Sequence, residues 1–240
     1  MAGSKDDEKN DDKGGRGDDH DHDRDDKRGR GGDHDHDDHH HHHHHICFMA
    51  NTRVRTPVGE VAVEHLKIGD LVQTHDGRSV PVRWIGRQNI ASRFRDELRL
   101  PICVKAGAIR DNVPCRDLFV SPDHALFVDD VLVHAGALVN GTSIVRAPNV
   151  PEVFTYYHIE VDDHSLILAE NTPAETFVDN VDRASFDNWD EYQALYPEGK
   201  SVVEMPYPRA KAYRQVPRII RARLAERGAT LYGTQIASVA

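Results

Sequence analysis

The stretch that decides the fold is CFMANTRVRTPVGEVAVEHLKIGDLV, residues 47–72. Within it, Arg53 to Leu66 places Pro57–Glu60 between two Val-rich alternating arms, the pattern of two strands joined by a turn. The same grammar repeats downstream. DLVQTHDGRSVPVRWIG (70–86) centres on Asp76-Gly77, a dipeptide suited to the positive φ angles of a two-residue hairpin. HALFVDDVLVHAG (124–136) pivots at Asp129-Asp130, and TYYHIEVDDHSLILAE (155–170) pivots around Asp162 to His164. In the last segment Tyr156, His158 and Glu160 share one face, while Tyr157, Ile159 and Val161 share the other. Short strands at this spacing, with no helical period between them, imply an all-β domain over residues 46–180.

Upstream the character is different. The 240-residue chain carries a formal charge of −10, of which residues 1–45 contribute −7, and they hold 11 of its 17 histidines. No Val, Ile, Leu or aromatic residue precedes Ile46. A segment without apolar surface to bury cannot offset its ordering entropy, so residues 1–45 read as a disordered tail. Seven consecutive histidines (39–45) make it a loose divalent-metal chelator, with His39, His41, His43 and His45 as candidate ligands for adventitious zinc or nickel. The competing reading is a solvated, charged linker with incidental metal affinity.

The same composition excludes several classes. No apolar run reaches 18 residues, so no membrane span is expected. The N-terminus has no apolar core of a secretory signal. Overall acidity argues against nucleic acid as the main partner. Three cysteines, Cys47, Cys103 and Cys115, cannot form a disulfide framework. Cys103 and Cys115 read as small core residues, and His65, His75 and His134 as surface or turn residues. Location stays open between the cytoplasm and export without a conventional signal, and a monomer is expected.

After Asn180 the period changes. SFDNWDEYQALY (185–196) opens on Ser185 as a cap candidate and spaces Phe186, Trp189 and Tyr192 helically. VPRIIRARLAERG (216–228) offers Pro217 for a first turn, Val216, Ile220 and Leu224 as one stripe, and Gly228 as a stop. Seven Lys/Arg face one Glu between residues 205 and 227. Residues 181–240 therefore read as a short, basic, helical extension. It either packs on the β domain with a solvated basic face or docks an acidic partner, the chain's own tail being one candidate.

Three separated motifs, in order, carry a family resemblance. The 47–72 stretch, closing on EHLKIGDLV (64–72), resembles the opening block of Hint domains, the Hedgehog/intein autoprocessing family, in its bacterial intein-like branch. VSPDHALFV (120–128) resembles that family's Thr-x-x-His block, with Ser121 in the Thr place. YYHIEVDDHSLILAENTPAETF (156–177) resembles its late block. The resemblance implies a Hint/intein-like fold of β-hairpins, no required cofactor, and a single-turnover self-processing activity. Its substrate would be the chain's own N-terminal segment.

In such domains the first step is an N-to-S acyl shift, here attack of the Cys47 thiolate on the Ile46 carbonyl to give a thioester. An amide is planar and resonance-stabilised, so the catalyst must twist it, protonate its nitrogen and hold the oxyanion. A twist of ~12° costs about 1 kcal/mol, within reach of local packing. The resemblance gives His124 the role of general acid and leaves Ser121 to hold the Ile46 carbonyl or orient the imidazole. Asp123 is placed to tune His124 or to form the Pro122-Asp123 turn. His158 stands where many inteins have Asp and is a candidate base, and His164 either assists or caps the Asp162-Asp163 turn.

The late block also departs from the family. Ala174-Glu175-Thr176 stands where Val-His-Asn closes a full intein, and no Asn occupies the cyclising position. Splicing is then not expected. What remains is a thioester at Cys47 resolved by water, a small thiol, an amine or a lipid hydroxyl, with N-terminal cleavage favoured because it needs no further binding site. The alternative from another class is an inactive Hint-like scaffold whose Asp/His tail makes it a metal-binding module. A Cys/His hydrolase acting on other proteins is a third reading, without an oxyanion-loop motif to support it.

Overall fold

The structure is a computed structural model and describes residues 46–91, 100–178 and 183–233. The Asp/His tail, with its candidate ligands His39, His41, His43 and His45 and its expected disorder, lies outside the described residues. The first strands are β1 (Phe48–Met49), β2 (Arg53–Thr56), β3 (Gly59–Ala62), β4 (Leu71–Gln73), β5 (Ser79–Pro81) and β6 (Trp84–Ala91). There follow β7 (Ile102–Val104), β8 (Leu118–Val120), β9 (Ala125–Val128), β10 (Val131–His134) and β11 (Ile144–Arg146). The last are β12 (Val153–Glu160), β13 (Leu166–Ala169), β14 (Thr172–Glu175) and β15 (Arg209–Ala210), with α1 (Trp189–Leu195) and α2 (Arg218–Tyr232) among them. The all-β expectation with a short helical C-terminal segment is met.

Two sheets enclose the core. One runs β11-β7-β8-β1-β12-β6 and the other β15-β10-β9-β14-β13-β2-β3, while β4 and β5 form a separate ribbon. Val54, Val63, Val72, Ile102, Leu118, Leu126, Ile159 and Ile167 are all buried in the main apolar cluster. All but Val63 come from strands, and every sheet contributes, which is why short strands suffice: each buries a few side chains against its neighbours.

Turn chemistry explains the hairpins and corrects two expectations. At Asp129-Asp130 both residues take positive φ (47° and 61°), the two-residue turn anticipated there. At Asp76-Gly77 only Gly77 does (88°), and Thr74 N–H donates to the Arg78 carbonyl at 2.9 Å across a three-residue loop. The Asp162–His164 segment is not a hairpin turn. β12 pairs with β1 and β6, whereas β13 pairs with β14 and β2, so the chain crosses there from one sheet to the other. The turn that pairs β13 falls instead at Glu170-Asn171, again with both φ positive (45° and 61°).

The C-terminal elements also differ from the sequence expectation. Ser185 does not cap α1, which begins after Asn188. The Asn188 side chain is used across the chain, accepting from Arg87 N–H at 2.7 Å and donating to the Ile85 carbonyl at 2.9 Å. Gly228 does not stop α2 but lies inside it, buried, where a Cβ would meet Ser143 Oγ at 2.8 Å. The helix ends at Gly233, whose φ of 72° suits a C-terminal glycine. Its basic residues contact the β domain: Arg223 binds the Ile109 carbonyl and Asp129, and Arg227 binds Asp111. That is the packed-helix reading of the extension.

Candidate active site around Cys47

Ile46 and Cys47 lie immediately before β1, which sits in the interior of the six-stranded sheet with Phe48 paired to Val120 on one side and Tyr157 on the other. The pairing draws Cys47 fully inside. Its backbone is gripped twice by one residue. Cys47 N–H donates to Ser121 Oγ at 2.8 Å, and the Cys47 carbonyl accepts from Ser121 N–H at 2.9 Å. Ser121 thus meets the nitrogen of the Ile46–Cys47 bond. Burial pushes the Cys47 thiol well above its ordinary range, so it is protonated at neutral pH and needs a local base to react.

His124 is carried to the site by the turn after Ser121, closed by His124 N–H on the Ser121 carbonyl at 3.1 Å. Gly136 N–H secures that turn on the Pro122 carbonyl at 2.8 Å. His124 Nε2 faces the Glu175 backbone carbonyl at 3.2 Å. A carbonyl can only accept, so Nε2 carries the proton and Nδ1 keeps its lone pair. Nδ1 is buried without a hydrogen-bond partner among the described residues. Burial lowers the His124 pKa to about 4, against the opposing pull of Glu175 and the Cys47 backbone. The imidazole is neutral at pH 7 and keeps the lone pair of Nδ1.

His158 stands on β12 opposite Gly86. Its ring lies 6.3 Å from that of His124, 5.0 Å from Phe177 and 5.9 Å from Phe186, nearly parallel to the last. Phe186 can approach only because residue 86 lacks a side chain: a Cβ there would sit 2.7 Å from the Phe186 ring. Burial lowers the His158 pKa to about 3, with the charge of His124 adding to the effect and the Ile46 backbone opposing it. Ile46, Cys47, Trp84, Phe154, Tyr156, Phe177, Phe186 and Tyr192 form one apolar cluster around the bond.

His164 does not cap the Asp162-Asp163 turn; like His124, it lies against Glu175. Asp162 is taken by Arg83 and Lys200, and Asp163 by Arg78 and Ser165. His164 Nδ1 accepts Met205 N–H at 2.9 Å, which leaves Nε2 protonated and 3.4 Å from Glu175 Oε2. Asp123 Oδ1 is 3.4 Å from His134 Nδ1, and His134 is buried, not a surface residue. His65 and His75 are exposed as expected.

Glu175 is the residue that sequence reasoning noticed only as a departure. Its carboxylate is fully buried, accepts Ala125 N–H at 3.0 Å and lies 2.9 Å from Arg209 Nη1. Burial alone would raise its pKa, but the His164 hydrogen bond and the Arg209 charge lower it to about 2. The available signal was a lone Glu in the otherwise uncharged strand Thr172-Pro173-Ala174-Glu175. Among the described residues no group of three or more His, Cys, Asp or Glu could hold a metal ion. Cys103 is buried in β7, and Cys115 Sγ lies 3.7 Å from Glu170 Oε2.

The Ile46–Cys47 bond is thus buried in a β domain, with the Ser121 hydroxyl on its nitrogen and the neutral imidazole of His124 near its backbone. A family model described as Hint domain matches residues 46–181, more than half the chain, and the protein belongs to the Hint domain family, whose members carry out autoprocessing or splicing. Among solved structures it is similar to the bacterial intein-like domain from Clostridium thermocellum, with 20% identity over 56% of this chain and 100% of that one, at a TM-score of 0.41. The MchDnaB-1 intein matches with 15% identity over 54% of this chain and 99% of that one, at 0.39. The Msm DnaB1 intein splicing domain, solved bound with zinc, matches with 16% identity over 52% and 98%, at 0.39. No curated protein matches the chain.

Proposed function

We infer that the protein cleaves itself at Ile46–Cys47 by an N-to-S acyl shift, and that a second nucleophile then resolves the thioester to release residues 1–46. The observation that carries this reading is the 2.8 Å hydrogen bond from Cys47 N–H to Ser121 Oγ beside a neutral His124. His124 Nδ1 accepts the thiol proton, and Cys47 Sγ bonds to the Ile46 carbonyl carbon. As the C–N bond breaks, that proton passes to the departing nitrogen, which becomes the free amine of Cys47. Ser121 favours departure because its hydroxyl can turn from accepting to donating as the nitrogen loses amide resonance. His158 stays uncharged beside the Ile46 backbone and serves to exclude water and hold the twisted acyl group.

Cleavage rather than splicing is supported by Thr176 in the late block, which stands at the cyclising position and carries no side-chain amide. Hydrolysis releases the acidic tail; attack by an amine transfers it. The test is intact mass after incubation with a small thiol. The account expects loss of about 5 kDa, the share of 46 residues in a 27.0 kDa chain, from the wild type and none from Cys47→Ala. Unchanged mass in a folded wild type contradicts self-cleavage and leaves the inactive metal-binding scaffold as the reading.

A further inference from the structure

The segment from Met205 to Ala210 lies beyond the family-matched residues, yet it reaches the support of the candidate site. β15 adds to β10 as a parallel strand, with Leu132 opposite Arg209 and Leu132 N–H donating to the Pro208 carbonyl at 2.9 Å. The Tyr207 ring packs tilted against Phe127 at 4.7 Å, and Met205 N–H supplies the bond that fixes the His164 tautomer. Arg209 Nη1 then lies 2.9 Å from Glu175 Oε2 and 3.2 Å from Oε1, with its side chain only 12% exposed.

Glu175 is bonded to two consecutive residues of the site. Its carboxylate takes Ala125 N–H and its backbone carbonyl takes His124 Nε2–H. A buried carboxylate without a cation takes up a proton or drags its strand toward water. We propose that Arg209 is a positioning residue for the Cys47 chemistry: it neutralises Glu175, so that β14 can hold His124 in the tautomer that leaves Nδ1 as a base. The proposal rests on the self-cleavage reading. It makes processing conditional on folding beyond the family-matched domain. The segment 205–210 must dock on β10 before the Ile46–Cys47 bond becomes reactive, which orders extension folding ahead of tail release.

The test measures thiol-induced loss of residues 1–46 in the full-length chain for wild type, Arg209→Lys, Arg209→Met and the double variant Arg209→Met with Glu175→Gln, each with its melting temperature. Partners that orient a functional imidazole through its second nitrogen carry effects of about 10- to 100-fold, and Arg209→Met is expected to slow release by that much. Arg209→Lys keeps the charge and restores most of the lost rate. The double variant buries no unpaired charge, so it recovers both the melting temperature and most of the rate; it carries the test if Arg209→Met alone does not fold. Wild-type rate in Arg209→Met, or a double variant that recovers stability and stays slow, overturns the proposal. A wild type that releases nothing overturns the self-cleavage reading, and this inference with it.

Discussion

The two halves of the candidate site treat polar groups in opposite ways. On the Cys47 side, His124 Nδ1 and both ring nitrogens of His158 are buried without hydrogen-bond partners among the described residues. On the Glu175 side, the carboxylate collects Ala125 N–H, Arg209 and His164, and the far nitrogen of His164 is itself bonded. Satisfied groups hold geometry; unsatisfied ones keep the lone pairs that chemistry needs. On the Glu175 side the buried carboxylate is held by ion pairs at 2.9 Å to Arg209 and 3.4 Å to His164, whereas the two neutral imidazoles have apolar and aromatic neighbours.

Removing the bare base should have the largest effect. His124→Ala is expected to slow release of residues 1–46 by roughly 100-fold or more, the scale of general acid–base catalysis, as read by intact mass over time. Wild-type kinetics in that variant would erase the distinction between the halves.

Acidity should attack the unpaired half first. The ordinary histidine pKa is about 6.5, and burial lowers His124 to about 4 and His158 to about 3. Between those values and 6.5 the unfolded chain binds protons that the folded one refuses, so stability present above about pH 6.5 is lost as pH falls toward 4. Glu175, with its pKa near 2, contributes loss only below about pH 4.5. Urea midpoints at pH 7.5 and 5.5 should therefore drop, and His158→Phe, which keeps the stack on Phe186, should flatten the dependence. A pH-independent midpoint would place charge on these imidazoles in the fold.

A smaller effect is expected from crowding the aromatic wall. Gly86→Ala forces Phe186 off His158 and should cost about 1–3 kcal/mol, the usual range for overpacking, measured by urea denaturation. At the far end of the scale, His65→Ala removes an exposed imidazole and should stay within about 0.5 kcal/mol.

The same contrast explains how much was legible in the sequence. Hairpins were legible where the turn is local chemistry, as at Asp129-Asp130, and so were Cys47, Ser121 and His124, which sit in contiguous motifs. The sheet crossing at Asp162–His164 was not, because period-2 alternation gives a strand's faces and not its partner. Glu175, Arg209 and Gly228 were not legible either: each is defined by a contact at least 34 residues away, to His124, Glu175 and Ser143 respectively. The supporting half of the site is thus a product of tertiary folding, while the reacting half is written in short motifs.

The most direct test is the identity of the released ends. Thiol-treated protein, separated and read by mass and N-terminal sequencing, should give a fragment that ends at Ile46 and carries the added thiol as a thioester. The remaining domain should begin with a free Cys47 amine. Cleavage at any other bond, or the same fragments from Cys47→Ala, would contradict the acyl shift.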